Sequence, residues 1–154
     1  MIADMLKKEN VRIIDRVADW KEGVQVSIQP LVDGGYVETS YIDGVIANTI
    51  EFGPYYVLVD DVALIHGRPE QGVNEKQLAV TIVREPVVFI GKDTEKKARL
   101  LVALAATDGE AHIDVMRTLA ELFMDPEKIE QLVQSQSTDE IYQIFLDADT
   151  AEAE

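Results

Sequence analysis

The stretch Val62-Ala63-Leu64-Ile65-His66-Gly67-Arg68-Pro69-Glu70 runs from four consecutive apolar residues into a polar loop, with one histidine at the junction. Such a short apolar run, bounded by turn-forming residues, reads as a buried strand of a sheet. The end of a strand is where a rigid core can hold a reactive side chain at the surface. Gly67 leaves room for another backbone to approach closely. Arg68 offers a planar, permanently charged fork of donors suited to phosphate oxygens.

Immediately upstream, Tyr55-Tyr56-Val57-Leu58-Val59 is rich in β-forming residues, and Asp60-Asp61 reads as the turn between two strands. Before these, Tyr41, Val45, Ile46 and Ile50 recur at helical spacing, with Ser40 as the expected cap and Gly53-Pro54 as the stop. An earlier helix starts at the cap Asp19 and carries Trp20, Val24, Ile28 and Leu31 on one face. Pro30 predicts a kink or an end there, and Gly34-Gly35 closes it. Residues 2–8 predict a short helix, ahead of the apolar–polar stretch 11–14.

Downstream, residues 78–83 and 87–90 predict two paired strands joined by Arg84-Glu85-Pro86, followed by a charged surface loop over 91–97. Residues 99–106 predict a buried strand. Thr107 or Asp108 is expected to cap a helix over 110–123, with Ile113, Met116, Ala120 and Phe123 facing inward. Pro126 begins another short helix, and Ser137 with Glu140 matches a capping box for a last helix ending near Asp147. Residues 148–154 predict an acidic, frayed tail. Helices precede, interrupt and follow strands, so the expected class is α/β: a single domain over 1–147, with a mixed β-sheet flanked by helices.

Composition narrows the function. Among 154 residues, 47% are hydrophobic, which is enough for one sizeable core. No apolar run approaches the roughly 20 residues needed to cross a bilayer, and the first residues lack a secretory pattern, so a cytoplasmic location is expected. With no cysteine, thiolate chemistry and disulfides are excluded. Acids outnumber bases 29 to 14, giving a net charge of −15, which argues against binding nucleic acid or an anionic membrane.

The chemistry then rests on two histidines. Imidazole is a competent nucleophile near neutral pH. His112 falls in the first turn of a predicted helix, where free amide groups and the helix dipole favour an anion. If folding brings that turn beside His66, one imidazole can accept a phosphoryl group and the other can donate to its oxygens. The plainer alternatives are a hydrogen-bonded turn histidine at 66 and a polar helix-start residue at 112. A metal site with Asp60, Asp61, Asp108 or Asp114 lacks any HxxxH or HxH spacing to support it, and no cofactor is expected. No GxxxxGK[ST], GxGxxG or GxSxG stretch is present.

The segment around His66, with Gly72-Val73 following, resembles the active-site segment of phosphotransferase-system enzyme IIA components of the mannitol/fructose class. It is most similar to the ascorbate-type branch, in which a Gly-Pro-Tyr element like Gly53-Pro54-Tyr55 precedes a strand and an H-G-R-P-E segment. The likeness continues through Ala105-Ala106-Thr107-Asp108, Glu110 and His112. This resemblance implies that the histidine matching His66 accepts a phosphoryl group from the phosphocarrier HPr and passes it to a cysteine of a IIB component. It further implies that sugar is phosphorylated during uptake through the membrane IIC component. His112 matches a second histidine that supports the phosphoryl group. Single-domain relatives of this type also exist that signal by binding a regulatory partner, and the residues leave that alternative open. Mannitol-type members carry an arginine where this chain has Asn48-Thr49-Ile50-Glu51, which counts against a mannitol substrate. The position before the histidine is often proline and is Ile65 here.

Overall fold

The computed structural model describes residues 2–91, 93–107 and 109–153, with the backbone alone for 109–112 and 149–153. In chain order the elements are α1 (Ile2–Met5), β1 (Leu6–Ile14), α2 (Trp20–Asp33), α3 (Thr39–Phe52), β2 (Val57–Val59) and β3 (Asp61–Ile65). A 3-10 turn (Pro69–Gln71) follows, then β4 (Gln77–Ile90), β5 (Glu95–Ala105), α4 (Gly109–Phe123), α5 (Pro126–Gln134) and α6 (Thr138–Ala153). The strands form one five-stranded sheet in the order β1-β4-β5-β3-β2. β1 is parallel to β4 and β3 is parallel to β5, whereas β4/β5 and β2/β3 are antiparallel, so the sheet is mixed.

Alternation along the central strands divides their side chains between two cores. Val62 and Leu64 of β3, Leu78, Val80 and Ile82 of β4, and Leu100, Val102 and Leu104 of β5 pack on the face covered by α1, α4, α5 and α6. Ala63 and Ile65, Ala79 and Val83, and Leu101, Ala103 and Ala105 pack on the opposite face, beneath α2 and α3. Both faces are covered, which explains why these strands read as continuous apolar runs. Burial of each large aliphatic side chain stabilises the fold by about 1.5–3 kcal/mol.

Asp19 caps α2 as expected, its carboxylate accepting from the Glu22 N–H at 2.9 Å. Pro30 does not end the helix, which continues to Asp33 and closes at Gly34-Gly35. A proline has no N–H to offer the carbonyl four residues back, which here belongs to Val26. The Arg12 guanidinium reaches over from β1 and donates to that Val26 oxygen. A side chain from a different element replaces the bond that Pro30 removes.

Several expectations are corrected. Residues 78–83 and 87–90 are not two paired strands but parts of the one strand β4, both paired to β5. The register shifts between Ile82 and Val87, an irregularity where Pro86, lacking an amide donor, is tolerated. The charged segment after Gly91 is correspondingly shorter, because β5 begins at Glu95. The N-terminal helix stops at Met5, and β1 begins at Leu6. Tyr55 and Tyr56 precede β2 in a turn. Ser40 lies inside α3, whose N-cap is Glu38, and its hydroxyl donates to the Gln71 carbonyl at 2.9 Å. Ile50 is exposed, while Asn48 and Thr49 are buried on the inner face of α3. On α4 the buried face is Val115, Thr118, Leu119, Leu122 and Phe123; Ile113 is 55% exposed. Ser137 Oγ does accept from the Glu140 N–H at 3.4 Å, but the Glu140 carboxylate turns to the Ser135 hydroxyl instead of completing the box. The backbone of α6 continues beyond Asp147 to Ala153.

Candidate active site

His66 follows directly on the buried end of β3, where Ile65 pairs with Ala103 of β5. Its ring is half-buried, and Nδ1 lies 2.6 Å from the carbonyl oxygen of Leu64. A carbonyl can only accept, so this bond requires the proton on Nδ1 and leaves the lone pair on Nε2. The ring also meets the edge of Tyr55, with centroids 5.5 Å apart and planes at 90°. Tyr55 arrives there because α3 ends at Gly53, whose φ of 81° turns the chain before Pro54. Its hydroxyl donates to the main-chain carbonyl of His66 at 2.5 Å.

Gly67 donates its N–H to the Tyr41 hydroxyl at 2.8 Å, and that hydroxyl donates to the Leu104 carbonyl at 2.8 Å. Burial pushes the Tyr41 phenol up to about 12, so it is a neutral donor at physiological pH. The space freed by the absent Cβ of Gly67 is filled by Gln71; a Cβ there would lie 2.6 Å from Gln71 Oε1. Arg68 anchors its N–H to the same Gln71 oxygen at 2.8 Å. Its guanidinium lies 3.3 Å from Glu70, but both side chains are more than half exposed, so this pair holds Arg68 only weakly.

These residues border a cleft of about 310 Å³ lined by Asn48, Phe52, Tyr55, His66, Gly67 and Arg68. A hollow of about 410 Å³ along β2 and the start of β5 does not include His66 among its lining residues. His66, Gly67 and Arg68 are therefore together at one site. The His112 side chain and Asp108 lie outside the described residues. The backbone of 112 belongs to the first turn of α4. Because β5 runs parallel to β3, the chain leaves both strands at the same end of the sheet, so α4 starts at the end that carries His66. Among the described residues no group of three or more His, Asp or Glu side chains converges as a metal site would.

Sequence reasoning missed Tyr41, Asn48, Tyr55 and Gln71 as parts of the site. One signal was present: Asn48 continues the inward spacing of Tyr41 and Val45, and a buried amide in an apolar stripe needs hydrogen-bond partners.

The fold and site define a mixed-sheet α/β domain that presents one imidazole, with Nδ1 bonded to its own backbone, at the rim of a shallow cleft. The sequence profile of the family described as "Phosphoenolpyruvate-dependent sugar phosphotransferase system, EIIA 2" matches residues 4–148, and the chain belongs to that family. It is therefore a phosphotransferase component of the class that carries phosphoryl groups. It is 32% identical over 144 residues to the mannitol-specific cryptic phosphotransferase enzyme IIA component of Escherichia coli, covering 94% of this chain and 97% of that one. It is 27% identical over 142 residues to the ascorbate-specific EIIA component of the same organism, covering 92% of each. Among solved structures, that of the E. coli enzyme IIAMtl in complex with phosphorylated enzyme IIBMtl superposes with a TM-score of 0.79 at 28% identity, covering 92% of this chain and 99% of that one. No helix among the described residues is long and apolar enough to cross a membrane.

Proposed function

We propose that His66 is the phosphoryl-accepting residue, that phospho-HPr is the donor, and that a cysteine of a cognate IIB component is the acceptor. The observation that carries this reading is the Nδ1 contact with Leu64, which puts the lone pair on Nε2, the nitrogen that acts as nucleophile. In the first step the Nε2 lone pair attacks phosphorus, and the phosphorus–nitrogen bond of the donor breaks as the N–P bond to His66 forms. In the second, an acceptor thiolate takes the phosphoryl group and His66 regains its lone pair. The site's part is positioning and charge stabilisation. Arg68, beside the cleft, supplies positive charge toward the phosphoryl oxygens, with His112 as a second donor from the start of α4. Gly67 contributes the space that lets the loop close over Gln71.

The family assignment and the IIA–IIB complex of the E. coli relative support the IIB partner. The combination of Gly53-Pro54-Tyr55 with His66-Gly67-Arg68-Pro69-Glu70 supports an ascorbate-like sugar, taken up through a membrane IIC component. Such a relay operates in the cytoplasm. Incubation with enzyme I, HPr and phosphoenolpyruvate should give acid-labile, base-stable phosphate on His66, transferable to IIB. Undiminished label in His66→Ala would overturn the assignment, and failure to pass label to any IIB would favour a regulatory role instead.

A further inference from the structure

Four side chains from three parts of the chain hold the main-chain polar groups on both sides of Gly67. From the His66 carbonyl the path runs to the Tyr55 hydroxyl, which donates to it at 2.5 Å. That hydroxyl in turn accepts from Asn48 Nδ2 at 3.4 Å. Asn48 then pairs reciprocally with the Gln71 amide: its Nδ2 donates to Gln71 Oε1 at 3.0 Å, and its Oδ1 accepts from Gln71 Nε2 at 3.2 Å. Gln71 Oε1 closes the circuit by accepting the Arg68 N–H at 2.8 Å. The Gly67 N–H between these points is held separately by Tyr41.

We infer that Asn48 is a positioning residue for His66, acting through Tyr55 on one side and Gln71 on the other. This rests on His66 being the phosphoryl acceptor. Asn48 is the one member bonded to both halves of the circuit, and both hydrogens of its amide are used, one toward each half. It is 7% exposed, so its amide has little water to fall back on if a partner is lost. Gln71 has little freedom to seek another arrangement, because its side chain is wedged between Gly44 and Gly67: a Cβ at either would lie within 2.9 Å of its amide. The circuit thereby fixes the peptide planes on either side of Gly67. The His66 Nδ1–Leu64 contact, and with it the tautomer that exposes Nε2, depends on the placement of that backbone.

The test compares the intact wild-type chain with Asn48→Leu, which keeps the volume and adds no charge, and Tyr55→Phe, which cuts the circuit at its exposed end and keeps the ring. Nitrogen-15 NMR of the imidazole reads the tautomer directly, and amide exchange reads the Gly67 and Arg68 N–H groups. Wild type should show a single tautomer protonated on Nδ1. In Asn48→Leu the Arg68 amide should exchange at least about tenfold faster, the imidazole should shift toward a mixture of tautomers, and kcat for phosphoryl acceptance should fall about tenfold with donor KM within about twofold. Tyr55→Phe should move the imidazole signals and kcat in the same direction, and it carries the test if Asn48→Leu does not fold. A lowered melting temperature with unchanged imidazole signals and kcat would overturn the inference in favour of a purely structural role. A wild-type chain that accepts no phosphoryl group would overturn the acceptor assignment instead, while the NMR comparison would still decide the positioning claim.

Discussion

Tyr41 and Gly67 are joined by a 2.8 Å hydrogen bond that links the inner face of α3 to the loop after His66, and the same hydroxyl donates in turn to the Leu104 carbonyl of β5. Tyr41→Phe deletes both bonds without removing the ring. It leaves a buried carbonyl and an amide without partners, which should cost about 1–3 kcal/mol in urea unfolding. A loss below about 0.5 kcal/mol would show that water replaces the hydroxyl at both ends.

The buried tyrosines set an alkaline limit. Burial pushes the Tyr41 phenol up to about 12 and raises that of Tyr56 further. Above pH ~10 the unfolded chain releases phenolic protons that the folded chain still holds, so stability falls as pH rises from the unfolded toward the folded pKa. Each such tyrosine contributes a slope of about 1.4 kcal/mol per pH unit in that window and nothing below it. Denaturant titrations from pH 8 to 12 should show this decline, with a shallower slope in Tyr41→Phe. An equal slope in that variant would contradict the account.

Gly67→Ala is expected to be harmful for a local reason. The new Cβ would lie 2.6 Å from Gln71 Oε1 and 3.1 Å from Val45 Cγ2. Gln71 must move, which releases the Arg68 amide. Phosphoryl acceptance should fall about tenfold or more, whereas stability should drop by no more than about 1–3 kcal/mol. Coupling Gly67→Ala with Gln71→Ala should recover part of the stability, because the clash is removed, but not the rate.

Arg12 and Pro30 permit a double-mutant cycle. Arg12→Met should orphan the Val26 carbonyl and cost about 1–3 kcal/mol. Adding Pro30→Ala restores an N–H for that carbonyl, so the double variant should be more stable than Arg12→Met alone. Strict additivity of the two changes would show that Arg12 does not substitute for the missing helical bond.

How much was legible depended on how local the cause was. The Asp19 cap, the Gly53 turn and the strand ending at Ile65 follow from neighbouring residues, and the structure has all three. β4 was divided at Arg84-Glu85-Pro86 because that triplet carries turn chemistry. In the folded chain it forms an irregular overhang: the ladder with β1 ends at Val83, the Glu85 N–H still donates to the Asp15 carbonyl just past β1, and regular pairing with β5 resumes at Val87. On α4 two overlapping apolar stripes compete, and only packing against the sheet selects Val115, Leu119 and Leu122 over Ile113. His66, Gly67 and Arg68 were legible as a unit because they adjoin in sequence. Their supports were not: the Tyr41–Leu104 bond spans 63 positions and the Asn48–Gln71 pair spans 23, distances no local pattern encodes.

The bond from Arg12 to Val26 also bears on the order in which the chain can become complete. A helix with a proline in its interior is an unfinished object on its own, and here the missing piece is delivered by an edge strand that forms its pairs with β4, far along the chain. Excising the first strand should therefore fray the later turns of α2, and α2 taken alone should not hold its full length. Each segment completes the other, so the two ought to protect and melt together as one cooperative unit in hydrogen exchange.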